Sequence, residues 1–254
     1  MNTRPIQQAL TLIAIALTFA SGAADVASFT RLGDVFTSVM TGNIVLWGLA
    51  AARGSLTLFS HTAVSIAGYI VGVAGATWIA HGFKAASQDE DQGQGDVPPD
   101  HVVRVLLAEL ILVAGFTTGW EISGASPAGW AQFCVLATLA AAMGVQSSAV
   151  KDMGLAEVST TYLTGTLTGL VSSLARPGQA TQQRTRRVGV LLGLVAGASL
   201  CGLLVATAAS AVPALLLGAL VATLVLAWRP RWLGLGAAKD RGQLPPGERG
   251  FCPR

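Results

Sequence analysis

The chain has 254 residues, of which 52% are hydrophobic and only 11% charged, with a formal net charge of +3. A soluble domain carries roughly a quarter of its residues as charges, and the mean hydropathy here is +0.59, so a water-soluble globular protein is excluded. The basic residues form no patch interleaved with aromatics, which sets nucleic-acid binding aside.

In chain order, the first apolar run extends from about Ile6 to Phe29, interrupted only by Asp25. Arg4, the run Ala9–Ala20 and the small residues Ser21–Ala24 resemble a cleavable signal peptide. The apolar character nevertheless continues to Phe29 and completes a span of about 20 residues, so a retained first helix is expected. The second run, about Asp34 to Ala52, carries Asp34, Thr37, Ser38, Thr41 and Asn43, with Gly42 between the last two. A helix that merely faces lipid has no use for so many hydrogen-bonding groups. The third run covers about Leu56 to Phe83 and is followed by a polar stretch, Lys84–Asp100, expected to be a mobile linker. The fourth, about Val102 to Trp120, holds Glu109 near its middle. The fifth covers about Ala128 to Val150 and the sixth about Leu155 to Leu174. A basic loop, Arg176–Arg187, precedes the seventh, about Val188 to Ala209; the eighth covers about Ala214 to Trp228. The tail from Arg229 has no apolar face to bury and is expected to be disordered.

The two halves echo each other. Gly22–Gly33 lies over Gly144–Gly154, MTGN at Met40–Asn43 recurs as LTGT at Leu163–Thr166, and Ala67–Gly72 matches Leu192–Gly197. Matches in the same order point to duplication. The expected division is a first membrane repeat over residues 1–126 (with the linker 84–101), a second over 127–229, and a cytoplasmic tail over 230–254.

Arg176, Arg184, Arg186 and Arg187 mark the loop before the seventh run as cytoplasmic, and the tail with it. Two arrangements remain open. Eight full spans make the halves parallel repeats. Six spans, with the second and sixth runs broken or re-entrant, invert one half relative to the other, as is common in transporters. The six-span arrangement leaves only Arg31 and Arg53 outside; the eight-span one leaves more basic residues there. Thr41–Asn43 near the midpoint leaves about 12 Å of helix on each side at 1.5 Å per residue, which suits a break there. The expected fold is therefore an all-α polytopic membrane protein, with six spanning helices, two broken or re-entrant segments and both termini cytoplasmic.

Thr41, Gly42 and Asn43, with Thr164, Gly165 and Thr166, form the candidate substrate site. At a break in a membrane helix, freed N–H groups attract anions and freed carbonyls attract cations, while Gly permits the backbone angles required. Asp25 and Glu109 are candidate coupling or coordinating acids, since an ionisable group inside a span is costly and usually functional. Arg31 and Asp34 are near enough in sequence to pair with Asp25. Gln146 takes roughly the place of Asp25 in the second half. Gly68, Gly72 and Ala76, like Gly189, Gly193 and Gly197, read as close-packing rows. His61, His81 and His101 lie near segment ends and read as interfacial, with no spacing for a metal site. Cys134, Cys201 and Cys252 show no C-x-x-C spacing. No cofactor motif or enzyme signature is present.

G-A-A-D-V-A-S-F from Gly22, L-G-D-V-F-T-S-V-M-T-G-N from Leu32, A-A-M-G-V-Q-S from Ala141 and T-T-Y-L-T-G-T-L-T from Thr160 resemble the YoaK-like family of bacterial integral membrane proteins. The resemblance covers about Ala9 to Trp228 and implies a bacterial inner-membrane protein. It brings no established substrate and no catalytic residue. The expectation from the residues is a permease or channel for a small polar or ionic solute, not an enzyme, working in the lipid bilayer as a homodimer. The rival is a non-transporting interaction or sensor protein whose polar motifs are structural.

Overall fold

A computed structural model describes residues 4–86, 100–153, 163–175 and 181–232. The elements are α1 (Arg4–Arg31), α2 (Met40–Arg53), α3 (Leu56–Ala86), α4 (Asp100–Ile122), α5 (Gly129–Asp152), α6 (Leu163–Ala175), α7 (Thr181–Thr207) and α8 (Val212–Trp232), with a 3-10 turn over Ala209–Ala211 before α8. The described residues contain no strand. Six helices are long and apolar enough to cross a bilayer: α1, α3, α4, α5, α7 and α8. The protein is an all-α polytopic membrane protein.

The reason is the solvent. In hydrocarbon every backbone group must be satisfied internally, which Ala-, Leu- and Val-rich helices achieve. Their hydroxyl residues are silenced in the same way. Thr18 donates to the Ala14 carbonyl at 2.7 Å, Thr62 to Leu58 at 2.8 Å, Thr117 to Val113 at 2.8 Å and Thr223 to Ala219 at 2.9 Å.

Small residues set which helices meet. α1 packs mainly on α7 and α8, α5 on α3 and α4, and α4 meets α8. A side chain at Gly193 or Gly197 would run into the Ile15 or Phe19 carbonyl, and one at Gly22 into Leu194 and Ala198. Gly68 and Gly72 stand in the same way against Ala137 and Ala141, and Gly144 against Tyr69 and Val73. The glycine rows are thus packing seams, as their spacing indicates. In both seams residue numbers rise together, so α1 runs parallel to α7 and α3 parallel to α5.

Gln132 decides how many segments cross. Near the start of α5, its Nε2 donates to the Arg31 carbonyl at the end of α1 (3.0 Å), while its Oε1 lies 3.0 Å from His61 Nε2 near the start of α3. Farther along α5, Gln146 Nε2 donates to the Leu17 carbonyl at 3.0 Å. α5 is therefore antiparallel to α1, and the chain between α1 and α3 leaves and returns at one end of the bundle. Because α7 runs with α1, the chain between α5 and α7 also returns to its own end, the opposite one. The eight-span alternative does not fit.

α2 and α6, with 14 and 13 residues, are the two helices that do not cross. α2 lies antiparallel on α3, with Asn43 meeting Ser65 and Trp47 meeting Phe59. Its start therefore reaches roughly 15 Å below Leu56 at 1.5 Å per residue, about half of a ~30 Å core. Gly54 in the left-handed conformation (φ 64°) turns α2 into α3.

Several boundaries move. The second run was expected to begin as helix near Asp34 and break at Thr41–Asn43. Instead the chain is non-helical between Arg31 and Met40, and Thr41, Gly42 and Asn43 lie inside the first turn of α2. The left-handed residues are Gly33 (φ 98°) and Asp34 (φ 59°), so Gly33 and not Gly42 supplies the backbone freedom. α3 continues through Ala86, α7 begins at Thr181 and α8 reaches Trp232, each cutting into an expected loop or tail. Residues 87–99 of the linker, the polar residues Glu157 and Ser159–Tyr162, Arg176, Cys252 and the tail beyond Trp232 lie outside the described residues.

Candidate functional site

The segment joining α1 to α2 enters the bundle without helical hydrogen bonds, so side chains must answer its backbone. Asp25 on α1 does most of this. Its Oδ1 accepts the backbone N–H groups of Thr37 and Ser38, both at 2.8 Å, and the Thr37 hydroxyl at 3.3 Å. Its Oδ2 accepts the Ser38 hydroxyl at 2.6 Å. Thr37 and Ser38 are themselves fully buried. One turn farther, Ser28 Oγ donates to the Val35 carbonyl at 2.9 Å. The expected partners of Asp25 are elsewhere: Arg31 donates to the Val205 carbonyl at 3.1 Å, and Asp34 is exposed. A carboxylate in a span does not need a cation when four dipoles converge on it.

Asn43 performs the same service from α2. Its Oδ1 accepts the Phe36 N–H at 2.9 Å, and its Nδ2 donates to the Phe36 carbonyl at 2.6 Å and to Ser65 Oγ at 3.0 Å. Ser65 Oγ in turn donates to the Phe36 carbonyl at 2.5 Å. An amide side chain offers one donor face and one acceptor face, so it can pair with both backbone groups of one non-helical residue. Phe36 also stacks on Phe29 of α1 at 5.2 Å. Asp25 and Asn43 thus clamp the segment from both sides.

The remaining motif residues are more open. Thr41 is exposed and Gly42 half-buried in the first turn of α2, where backbone N–H groups lack an intrahelical acceptor. In the second motif Thr164 and Gly165 are exposed, whereas Thr166 is buried and engaged. α6 leans on α7, where Arg187 donates to the Gly169 carbonyl at 2.8 Å. No broad packed interface joins α6 to α2. The two T-G motifs therefore enter from opposite ends, each on its own supporting helix.

Glu109 and Gln146 belong to neither motif. Both are buried, with 1% and 2% of their surface exposed. Glu109 Oε2 and Gln146 Oε1 have no hydrogen-bond partner. Glu109 stands out in the sequence by its central position, yet nothing in the sequence distinguishes its bare surroundings from the furnished ones of Asp25.

His61 was expected at the interface and is buried at 4% exposure instead. Its Nδ1 lies 2.7 Å from the Thr57 carbonyl, its Nε2 against Gln132, and its ring stacks on Phe133 at 4.4 Å. A Cβ at Gly33 would collide with this ring, so His61 walls the entry of the segment. Ser28 entered only as a letter of G-A-A-D-V-A-S-F, and His61, Gln132 and Ser65 carried no motif; only their place in otherwise apolar helices pointed to them. Cys134 is exposed and Cys201 buried, both free. Among the described residues no three His, Cys, Asp or Glu side chains form a metal cluster. A surface groove of about 500 Å³ between α1 and α8, lined by Leu12, Ile15, Phe19, Leu215 and Leu226, suits an acyl chain and not a polar solute.

The family model described as a protein of unknown function, DUF1275, matches residues 13–228. The chain belongs to the DUF1275 family. The matched region begins within α1 and ends within α8, and takes in the crossing helices between them and both half-helices. The chain is also 29% identical, over 159 residues, to the UPF0700 transmembrane protein YoaK of Bacillus subtilis (strain 168); the match covers 63% of this chain and 64% of that protein. No solved structure matches the chain. The membrane reading and the YoaK-like resemblance both stand on these findings.

Proposed function

We propose that this DUF1275 protein is a permease or channel for a small polar or ionic solute, in the bacterial inner membrane with both termini in the cytoplasm. One observation carries the reading. Two half-crossing helices, α2 and α6, enter from opposite ends of a bundle of six long helices, and the lead-in to α2 is non-helical at membrane depth. Irregular backbone at that depth is tolerated only when buried in protein or lining a wet cavity, and such elements build the solute sites of transporters with inverted repeats. Duplication is supported by matched seams: Gly22 meets α7 as Gly144 meets α3, and Gly197 meets α1 as Gly72 meets α5.

In this reading the first turns of the half-helices, Thr41–Gly42 and Thr164–Gly165, present backbone and hydroxyl groups to the solute. Asn43 and Asp25 hold the first of them in place, Thr166 anchors the second, and Glu109 supplies charge. One observation favours the rival, a non-transporting membrane protein with structural polar motifs: Asp25 and Asn43 are already fully engaged within the chain. Reconstitution into liposomes with a panel of small ions and metabolites separates the two. Wild type is expected to raise the flux of at least one solute over protein-free vesicles, with roughly tenfold loss in Asn43→Ala, about 1.4 kcal/mol at the barrier. Flux indistinguishable from empty vesicles across the panel favours the rival.

A further inference from the structure

Glu109 and Gln146 share one layer of the bundle. Gly119 of α4 stands beside Val135 of α5, and Gly115 beside Thr138. The same antiparallel register, continued toward the start of α4, sets Glu109 level with the Gly144–Gln146 turn. Proton counting fixes the direction of the Gln146 amide. Ser21 Oγ donates to the Leu17 carbonyl at 3.1 Å, so it accepts from Gln146 Nε2 at 2.7 Å, and the same nitrogen donates to the Leu17 carbonyl at 3.0 Å. The flipped amide would set oxygen against the Leu17 oxygen. Gln146 Oε1 therefore points away from this pair, buried and without a donor, in the layer where Glu109 Oε2 also lacks one.

Among the described residues, no cationic side chain on the helices packed around this layer answers them. α8 has no ionisable residue between Val212 and Ala227, and α5 has only the exposed Cys134 between Trp130 and Val150. α3 brings Tyr69, with His61 and His81 toward its ends; His61 is engaged with Thr57 and Gln132. On α4 itself Arg104 and Glu121 lie on either side of Glu109, more than a turn away. On α1 the acid is Asp25, held by Thr37 and Ser38. Two buried acceptor oxygens, one of them a carboxylate's, with no cation beside them among the described residues call for a single positive charge, and hard oxygen donors select a proton or an alkali ion over a soft metal.

We propose that Glu109 and Gln146 hold a monovalent cation, a proton or Na⁺, whose movement is coupled to that of the solute. Cation binding stands independently of transport; the coupling rests on the function proposed above. As a proton site, the Glu109 carboxyl donates its O–H into this layer, with Gln146 Oε1 as acceptor. As a Na⁺ site, both oxygens coordinate the ion.

The test uses the purified full chain in nanodiscs, with NaCl replacing choline chloride at constant pH and ionic strength. Thermal unfolding and the infrared carbonyl stretch of protonated carboxyls are read in wild type, Glu109→Gln and Gln146→Met. Sodium binding gives a midpoint that rises with NaCl but not with KCl, a rise lost in Glu109→Gln and weakened in Gln146→Met. Proton binding gives a midpoint indifferent to NaCl and a protonated-carboxyl band that vanishes in Glu109→Gln and shifts in Gln146→Met. A midpoint indifferent to NaCl with no such band overturns the site. Should Glu109→Gln not fold, the Na⁺-minus-choline infrared difference of wild type against Gln146→Met decides between the same outcomes. Liposome flux then separates the claims: cation binding without flux of any solute retains the site and removes coupling, and unchanged flux in a Glu109→Gln protein that has lost the cation also removes coupling.

Discussion

Asp25 and Glu109 are both carboxylates buried on crossing helices, and their surroundings are opposite. Asp25 receives two backbone N–H groups and two hydroxyls, all from Thr37 and Ser38. Glu109 Oε2 receives nothing. Asp25 acts as a structural knot: the chain must be broken at membrane depth, and a carboxylate is the acceptor that best replaces lost helix carbonyls. Glu109 has no such task among the described residues, so its charge must be answered from outside the chain. Burial alone does not separate a brace from a site in a membrane protein. The donor count does.

The sharpest way to break this contrast is to remove the two carboxylates separately. Asp25→Ala strands two buried N–H groups and is expected to cost about 3–5 kcal/mol in equilibrium unfolding in mixed micelles, enough to empty the folded fraction of a marginal protein. A loss below about 1 kcal/mol would show that Thr37 and Ser38 find other acceptors and that the knot is incidental. Next in size is Asn43→Ala, which frees the Phe36 N–H and carbonyl and is expected to cost about 2–3 kcal/mol by the same measurement. Faster hydrogen exchange at Phe36, Thr37 and Ser38 should accompany it, because clamping of that segment is the physical claim.

These residues also show how far the sequence could be read. The crossing helices were legible because a bilayer imposes one length and one composition on them; α1 was expected to reach Phe29 and ends at Arg31. The glycine seams were legible because four-residue spacing has one main physical use in a membrane. The break was misplaced by several residues because T-G-N looks like a place where a helix gives way. In the structure the helix is intact there, and the non-helical chain before it is held by Asp25, which lies twelve residues from Thr37. Only the fold brings such distant partners together. For the same reason the engaged Asp25 and the bare Glu109 looked alike as letters, and His61 at the end of a run gave no sign of being buried.

Removal of the other acid is expected to act with the opposite sign. Replacing an unanswered buried carboxylate by an apolar residue of similar volume is neutral or stabilising, so Glu109→Leu is expected to leave unfolding stability unchanged or raise it by about 1 kcal/mol. The wild type is to be measured in choline without Na⁺, so that a bound ion does not add to its stability. A loss as large as that of Asp25→Ala would mean that Glu109 is also a brace and would erase the contrast.

The smallest effect falls inside the first motif, where Thr41 and Asn43 share one turn but not one environment. Asn43 is wholly buried and Thr41 is exposed. Thr41→Val keeps the shape and removes only the hydroxyl, so its stability should stay within about 0.5 kcal/mol of wild type, as for most surface positions. Its liposome flux, by contrast, should fall together with that of Thr164→Val if the half-helix starts present hydroxyls to a solute. Unfolding and flux measured on the same preparation make this a test of location. A change in flux without a change in stability assigns Thr41 to the solute path. A change in neither leaves the motif as a carrier for Asn43, whose work is to hold Phe36.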